Sequence, residues 1–186
     1  MAKISKRYYR RNRFRRFKNM ISKYHATKLT YVDNIRLATN ELKFVKQDAA
    51  RARIGDLVGL CPDFTAYKAI FLSYKVTGIK ITVTPQYPLA NFDMRSAVML
   101  GITAASDDET ASNVAESNKS LILSPVQMVS KYFSLQGGII GWQPTTPAGQ
   151  TVAGGYITVA ADSNANAGGI IFSVVFDFYV MFKNAA

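Results

Sequence analysis

Between Lys6 and Lys18 the chain reads KRYYRRNRFRRFK, which sets six arginines among four aromatic rings. A guanidinium is a planar, permanently charged fork whose N–H groups match phosphate oxygens, and a tyrosine or phenylalanine ring can stack on an unpaired base for about 1–3 kcal/mol. Residues that grip phosphate and rings that hold bases, interleaved over a short stretch, suit single-stranded nucleic acid. The candidate contacts are Lys3, Lys6, Arg7, Tyr8, Tyr9, Arg10, Arg11, Arg13, Phe14, Arg15, Arg16, Phe17, Lys18 and Lys23. Residues 1–28 hold 11 Lys and Arg and no acid. Like charge at that density repels itself, so the sequence predicts a disordered arm that spans about 90–100 Å when extended. If every cation met a phosphate, the salt slope on a single strand would approach about 8.

The same residues carry other readings. A basic run of this kind also serves as a nuclear-import signal, and the two uses are compatible. Phe14, Phe17, Met20 or Ile21, and Tyr24 recur at helical spacing, which would suit a basic amphipathic helix on a membrane surface. A merely solvated tail is the plainest alternative.

The rest of the chain must position the arm. Residues 29–186 contain 12 basic and 12 acidic side chains, so the whole formal charge of +11 belongs to residues 1–28. Charged residues make up about 15% of this body, against about 25% in average globular proteins. Charge is depleted at the core of subunit interfaces because burying it costs solvation, so a neutral, charge-poor body suits self-association. The chain divides into an arm over 1–28 and one domain over 29–186, long enough to bury roughly 70% of its unfolded surface. The apolar run from Gly168 to Phe182 is broken by Asp177 and too short for a membrane helix, and the basic N-terminus lacks the apolar core of a secretory signal. Cys61 is the single cysteine, which excludes an intrachain disulfide.

From Leu29 onward the apolar pattern has period two, with β-branched and aromatic residues filling the strongest segments. Strands are predicted over Leu29–Asp33, Glu41–Lys46, Tyr74–Thr84, Ser96–Thr103, Val126–Leu135, Gly155–Ala160 and Ile170–Lys183. Turn signals include Gly55, Pro62, Pro85 to Pro88, Gly137-Gly138 and Pro144 to Gly149. One short helix, capped by Asp63, is predicted over Asp63–Leu72. The last strand is apolar on both faces, so it should lie at the centre of a sheet, covered by a second sheet inside and by a neighbouring subunit or loop outside. Seven or eight such strands make an all-β sandwich or jelly roll. Ser106–Ser120 is acidic and aperiodic and reads as an exposed loop. Its Asp107, Asp108 and Glu109 could help hold calcium, although adjacent acids in a polar loop are ordinarily just solvated. Asn118-Lys119-Ser120 matches a glycosylation acceptor, on the strength of three residues.

Catalysis finds little support. His25, the single histidine, sits beside the arm and reads as solvent-exposed or as packing against a subunit, and Cys61 before Pro62 reads as a small buried hydrophobe. Walker, dinucleotide and His-Glu-x-x-His motifs are absent, and Gly137–Gly141 reads as a turn. No cofactor is implied and no enzyme activity is expected.

Three blocks then carry a resemblance. The arm over Lys6–Lys18, the segment Tyr67–Pro85 in which an aromatic-containing turn leads into a strand ending in proline, and the terminal Val175–Lys183 together resemble the capsid proteins of circovirus-like small circular single-stranded DNA viruses. The chain is shorter than typical circovirus capsid proteins and its arm has fewer arginines, which points to a divergent relative. The resemblance implies an eight-stranded jelly roll and about sixty copies in a small icosahedral T=1 shell. It also implies an arm facing a single-stranded viral genome, host nuclear import factors, a location in the virion and in the host nucleus during assembly, and an unidentified cell-surface receptor. The coat protein of a small RNA virus or satellite would share both arm and jelly roll. A ribosomal or nucleoid nucleic-acid-binding module would spread basic residues over its folded surface, and a β-sandwich adhesin or enzyme with a basic tail is the remaining alternative.

Overall fold

Fifteen residues of near-continuous β pattern at the C-terminal end set the architecture. The structure, a computed structural model, describes residues 24–38, 41–86, 98–103, 114, 119–124, 126–135, 141–145, 155–161 and 169–183. The strand Gly169–Lys183, here β10, alternates Phe172, Val174, Phe176, Phe178, Val180 and Phe182 inward, all buried. Ser173, Val175, Asp177, Tyr179, Met181 and Lys183 lie half-buried on the opposite side. It pairs antiparallel with β1 (Tyr24–Ala38) on one edge and with β4 (Ser73–Pro85) on the other, which puts it inside the sheet as predicted, although its outer face also carries Ser173, Asp177 and Lys183.

The remaining strands among the described residues are β2 (Glu41–Phe44), β3 (Arg51–Arg53), β5 (Val98–Thr103), β6 (Ser120–Leu123), β7 (Val129–Ser134), β8 (Gln143–Pro144) and β9 (Tyr156–Ala161). One sheet has the order β2-β1-β10-β4-β7 with β8 also on β4, and the other the order β3-β9-β5-β6. Apart from the short β2 and β8, the pairings nest: β1 with β10, β3 with β9, β4 with β7, β5 with β6. Successive pairs alternate between the two sheets. A long hairpin rolled up in this way is the jelly roll, and the eight nested strands are its eight strands. The predicted fold class is therefore the observed one.

The core lies between the sheets, where Leu29, Ile35, Val76, Ile79, Ile81, Leu100, Ile157 and Val159 meet the phenylalanines of β10. The second sheet is covered on its other face too, because Met99 and Ala160 pack with Val114. Gly101 makes this possible: a Cβ there would come within 3.0 Å of a Val114 methyl and 3.3 Å of the Val114 carbonyl. Asp33, a buried carboxylate, ties β1 to the turn after β2 by accepting the backbone N–H of Asn34 (2.7 Å) and of Lys46 (3.0 Å).

Several expectations change. The first strand runs over Tyr24–Ala38, so residues 24–28, grouped with the arm by charge, pair with β10. Gly55 is not a turn but lies in helix α1 (Ile54–Gly59), whose Ile54, Leu57 and Val58 are buried at helical spacing. The predicted helix over Asp63–Leu72 is only Phe64–Lys68, α2, and the Asp63 side chain makes no capping hydrogen bond. Pro144 lies in β8 rather than in a turn. Of the loop predicted over Ser106–Ser120, Val114 is fully buried and Ser120 opens β6. Asp107, Asp108, Glu109 and Asn118 lie outside the described residues, as do Gly137 and Gly138.

Phe176 shows how strongly the sandwich depends on β10. Its ring is fully buried and contacts Tyr31, Phe44 and Phe178. Phe176→Ala should lower unfolding free energy by about 3–5 kcal/mol, read as a fall in the denaturant midpoint. A loss below about 1 kcal/mol would show that the two sheets do not close over this ring.

Candidate nucleic-acid interface

All fourteen residues that the sequence nominates, from Lys3 to Lys23, lie outside the described residues, which begin at Tyr24. The structure does show the place where the arm joins the body. Alternation along β1 sends Tyr24 to the outer face of the six-stranded sheet and His25 to the inner side, and each is held by aromatic rings. Tyr24 stacks on Trp142, with centroids 5.5 Å apart and planes 21° off parallel. His25 packs on Tyr67 at 5.3 Å and on Phe71 at 5.7 Å. Beneath them Phe182 contacts Tyr67, Phe71, Phe64 and Tyr74. Thr27 Oγ1 lies 3.2 Å from the Tyr67 hydroxyl.

Trp142 is positioned by the short β8, which would hardly be stable alone. Gln143 and Pro144 pair with Tyr74 and Ser73 at the start of β4. The Thr145 hydroxyl donates to the Phe71 carbonyl at 2.7 Å, and its N–H donates to the Leu72 carbonyl at 3.0 Å.

Strand register then assembles a surface. Reading across β1, β10 and β4, the outer-face rows are Tyr24–Lys183–Ser73, Ala26–Met181–Lys75, Lys28–Tyr179–Gly78 and Thr30–Asp177–Lys80. These rows bring together four lysines and one carboxylate, Asp177. That carboxylate is already engaged, since Lys28 Nζ lies 3.3 Å from it and the Thr30 hydroxyl donates to it at 2.7 Å. Lys183 Nζ sits 4.5 Å from the Trp142 ring centroid, a cation–π contact. Tyr132 from β7 lies over Gly78, where a Cβ would come within 2.1 Å of its hydroxyl, and meets Tyr179 edge-on at 5.4 Å. The end of the sheet from which the arm departs thus repeats the arm's own composition, cations among exposed aromatic rings. Sequence reasoning missed Tyr24, Lys28, Lys75, Lys80, Trp142 and Lys183 because they come from separate segments and only the ladder aligns them.

The nucleophile and base candidates do not converge. Cys61 is buried and its thiol donates to the Leu57 carbonyl at 3.4 Å, as a small core residue would. Burial, with Asp63 adding repulsion, pushes the thiol pKa up to about 12. Tyr74 is likewise pushed up to about 12 by burial and by Asp56. His25 is exposed, stacked on rings rather than on a carboxylate. Among the described residues no group of three or more His, Cys, Asp or Glu side chains could hold a metal ion.

No protein-family model matches the chain, and no curated protein matches it in sequence. Solved structures do match. Cocksfoot mottle virus aligns at TM-score 0.61 and 8% identity over 88% of this chain and 96% of that one. The T=1 subviral particle of a Penaeus vannamei nodavirus capsid protein deletion mutant aligns at TM-score 0.59 and 13% identity over 85% of this chain and 97% of that one. The decameric BFDV capsid protein aligns at only 0.46, with 14% identity over 87% of this chain and 100% of that one, which is too distant to argue from. The chain is therefore similar in fold to viral capsid proteins, and the circovirus resemblance rests on the three sequence blocks.

The Cys61 environment makes a checkable claim. With a pKa near 12 against an ordinary value of 9.0, about one thiol in ten thousand is ionised at pH 8, so the native protein should resist iodoacetamide until it is unfolded in denaturant. Both Cys61 and Tyr74 hold their protons more tightly folded than unfolded. Their contribution to stability is complete below about pH 9 and declines as pH rises toward 12, so denaturant midpoints should fall over that window. Rapid native alkylation at pH 8 would show that α1 does not cover this thiol.

Proposed function

We propose that this chain is a viral capsid protein, a structural and non-catalytic subunit. Copies of it would close into a small icosahedral shell and package single-stranded nucleic acid through the basic arm. The observation that carries the reading is the combination of a jelly-roll body with a charge of +11 confined to residues 1–28. Nested strand pairing supplies a wedge of rigid structure, and the arm supplies a polyanion grip that needs no base sequence. The site residues of the proposal are Lys3, Lys6, Arg7, Tyr8, Tyr9, Arg10, Arg11, Arg13, Phe14, Arg15, Arg16, Phe17, Lys18 and Lys23.

Self-association is supported by the exposed apolar side chains. Leu60, Ile70 and Leu72 flank the two helices with 52–66% of their surface open, and Ile122, Val126 and Met128 flank the β6–β7 connection at 63–66%. A lone soluble monomer gains nothing from them, whereas a second copy could cover them.

The three-block resemblance favours a circular single-stranded DNA genome, about sixty copies per shell, entry into the host nucleus through import factors that read the same basic residues, and a surface receptor on the host cell. The RNA-virus or satellite coat protein is the reading kept beside it, since arm and fold serve either polymer.

Electron microscopy of the purified recombinant protein should show closed shells. The encapsidated polymer should resist added nuclease until the shells are opened, and should then fall to DNase. Digestion by RNase alone would move the assignment to the RNA reading. Replacing Arg7, Arg10, Arg11, Arg13, Arg15 and Arg16 together with glutamine should lower the salt slope of oligonucleotide binding by about 4 and empty the particles. A monodisperse monomer of 20.5 kDa across salt and pH would overturn the assembly claim.

A further inference from the structure

At the root of the arm the body carries an aromatic stack on the outer face of the sheet. Tyr24 is an end residue of β1 with 41% of its surface exposed, yet its ring lies flat on Trp142 rather than turning into the core. The inner side of the same strand end is held separately, by His25 on Tyr67 and Phe71. Lys183, directly across from Tyr24 in the ladder, projects its ammonium over the Trp142 ring.

We infer that Tyr24, Trp142 and Lys183 form a base-stacking platform for single-stranded nucleic acid on the outer face of the six-stranded sheet. The inference rests on the proposed packaging function and adds a site to it on the folded body. A base continuing the stack on the open part of Tyr24 meets an aromatic surface already flat and already paired, so little side-chain freedom is lost on binding. The cations needed for the flanking phosphates are in place: Lys183 beside the stack, Lys75 in the next row and Lys80 beyond, while Lys28 and Thr30 occupy Asp177, the one carboxylate of these rows. Lys23 precedes Tyr24 in the chain, so a strand gripped by the arm is delivered to the platform without a gap in the sequence. Duplex DNA hides its base faces, which makes an unpaired strand the ligand that such a surface selects.

Trp142 is the only tryptophan in the chain, so its emission reports on this site alone. Full-length protein is titrated with a fluorescein-labelled oligothymidylate and, separately, with inorganic polyphosphate of matched charge. Binding by either ligand is followed by anisotropy or competition, and Trp142 by its fluorescence. The oligonucleotide should quench Trp142 saturably, while polyphosphate should bind and leave the emission unchanged. Tyr24→Leu, which keeps apolar bulk, should weaken oligonucleotide binding about 5- to 150-fold and leave polyphosphate binding as it was, and Tyr24→Phe should restore it. Oligonucleotide binding with unaltered Trp142 emission, or equal quenching by polyphosphate, would overturn the platform and leave the arm's role standing. Failure of the oligonucleotide to bind at all would overturn both.

Discussion

The antiparallel ladder between β1 and β10 is the constraint on which the rest of this molecule depends. It runs from Tyr24 opposite Lys183 to Leu37 opposite Gly169, with one irregularity beside Ile35. Within that first-to-last pair the remaining strands pair as nested partners, β3 with β9, β4 with β7 and β5 with β6, and no connection has to cross or thread another. β10 can occupy this position because its inner face is a row of phenylalanine and valine and its outer face is half-covered. A polar strand could not have accepted neighbours on both edges and a second sheet above it.

How much of this the sequence disclosed follows from how each segment is buried. Long strands with alternating or continuous apolar residues, such as Ser73–Pro85 and Gly169–Lys183, were legible because their periodicity extends over several residues. β3 was not, since Arg51-Ala52-Arg53 buries only Ala52, and Arg51 lies over the Tyr156 ring rather than advertising a strand. β8 has two residues, one a proline, and exists because Thr145 is tied to the Phe71 and Leu72 carbonyls. α1 hid behind Gly55, although the spacing of Ile54, Leu57 and Val58 contained the helical signal. For the candidate site, composition alone nominates the contiguous residues 6–18, which lie outside the described residues, whereas the lysines of the outer sheet face were invisible because they converge only through register.

That convergence changes the meaning of a balanced body. Equal counts of acid and base over residues 29–186 suggest an electrically neutral surface, but neutrality in sum does not require neutrality on each face. Several acids of the described residues are engaged elsewhere: Asp33 accepts backbone N–H groups in the interior, Asp48 pairs with Arg36, and Asp56 with Arg53. Only Asp177 lies in the rows that hold Lys28, Lys75, Lys80 and Lys183, and its oxygen is shared by Lys28 and Thr30. Among the described residues, lysine therefore exceeds acid in these outer-face rows.

The same pairing of cation and ring occurs twice in this protein, built by different means. In residues 6–18 it comes from adjacency in the chain, which needs no folding and imposes no geometry. On the sheet it comes from the ladder, which fixes Lys183 against Trp142 and Trp142 against Tyr24 at defined distances. Any segment that is ordered only on binding loses conformational entropy with each contact it makes. A copy held by the sheet has met that cost in folding, so under the proposed function its stacking free energy would go to binding. Under the proposed packaging function, the copy on the sheet follows the basic segment directly in the chain, since Lys23 precedes Tyr24. The β1–β10 ladder sets the geometry of that copy, because it brings the start of the first described strand opposite the end of the last, Tyr24 across from Lys183.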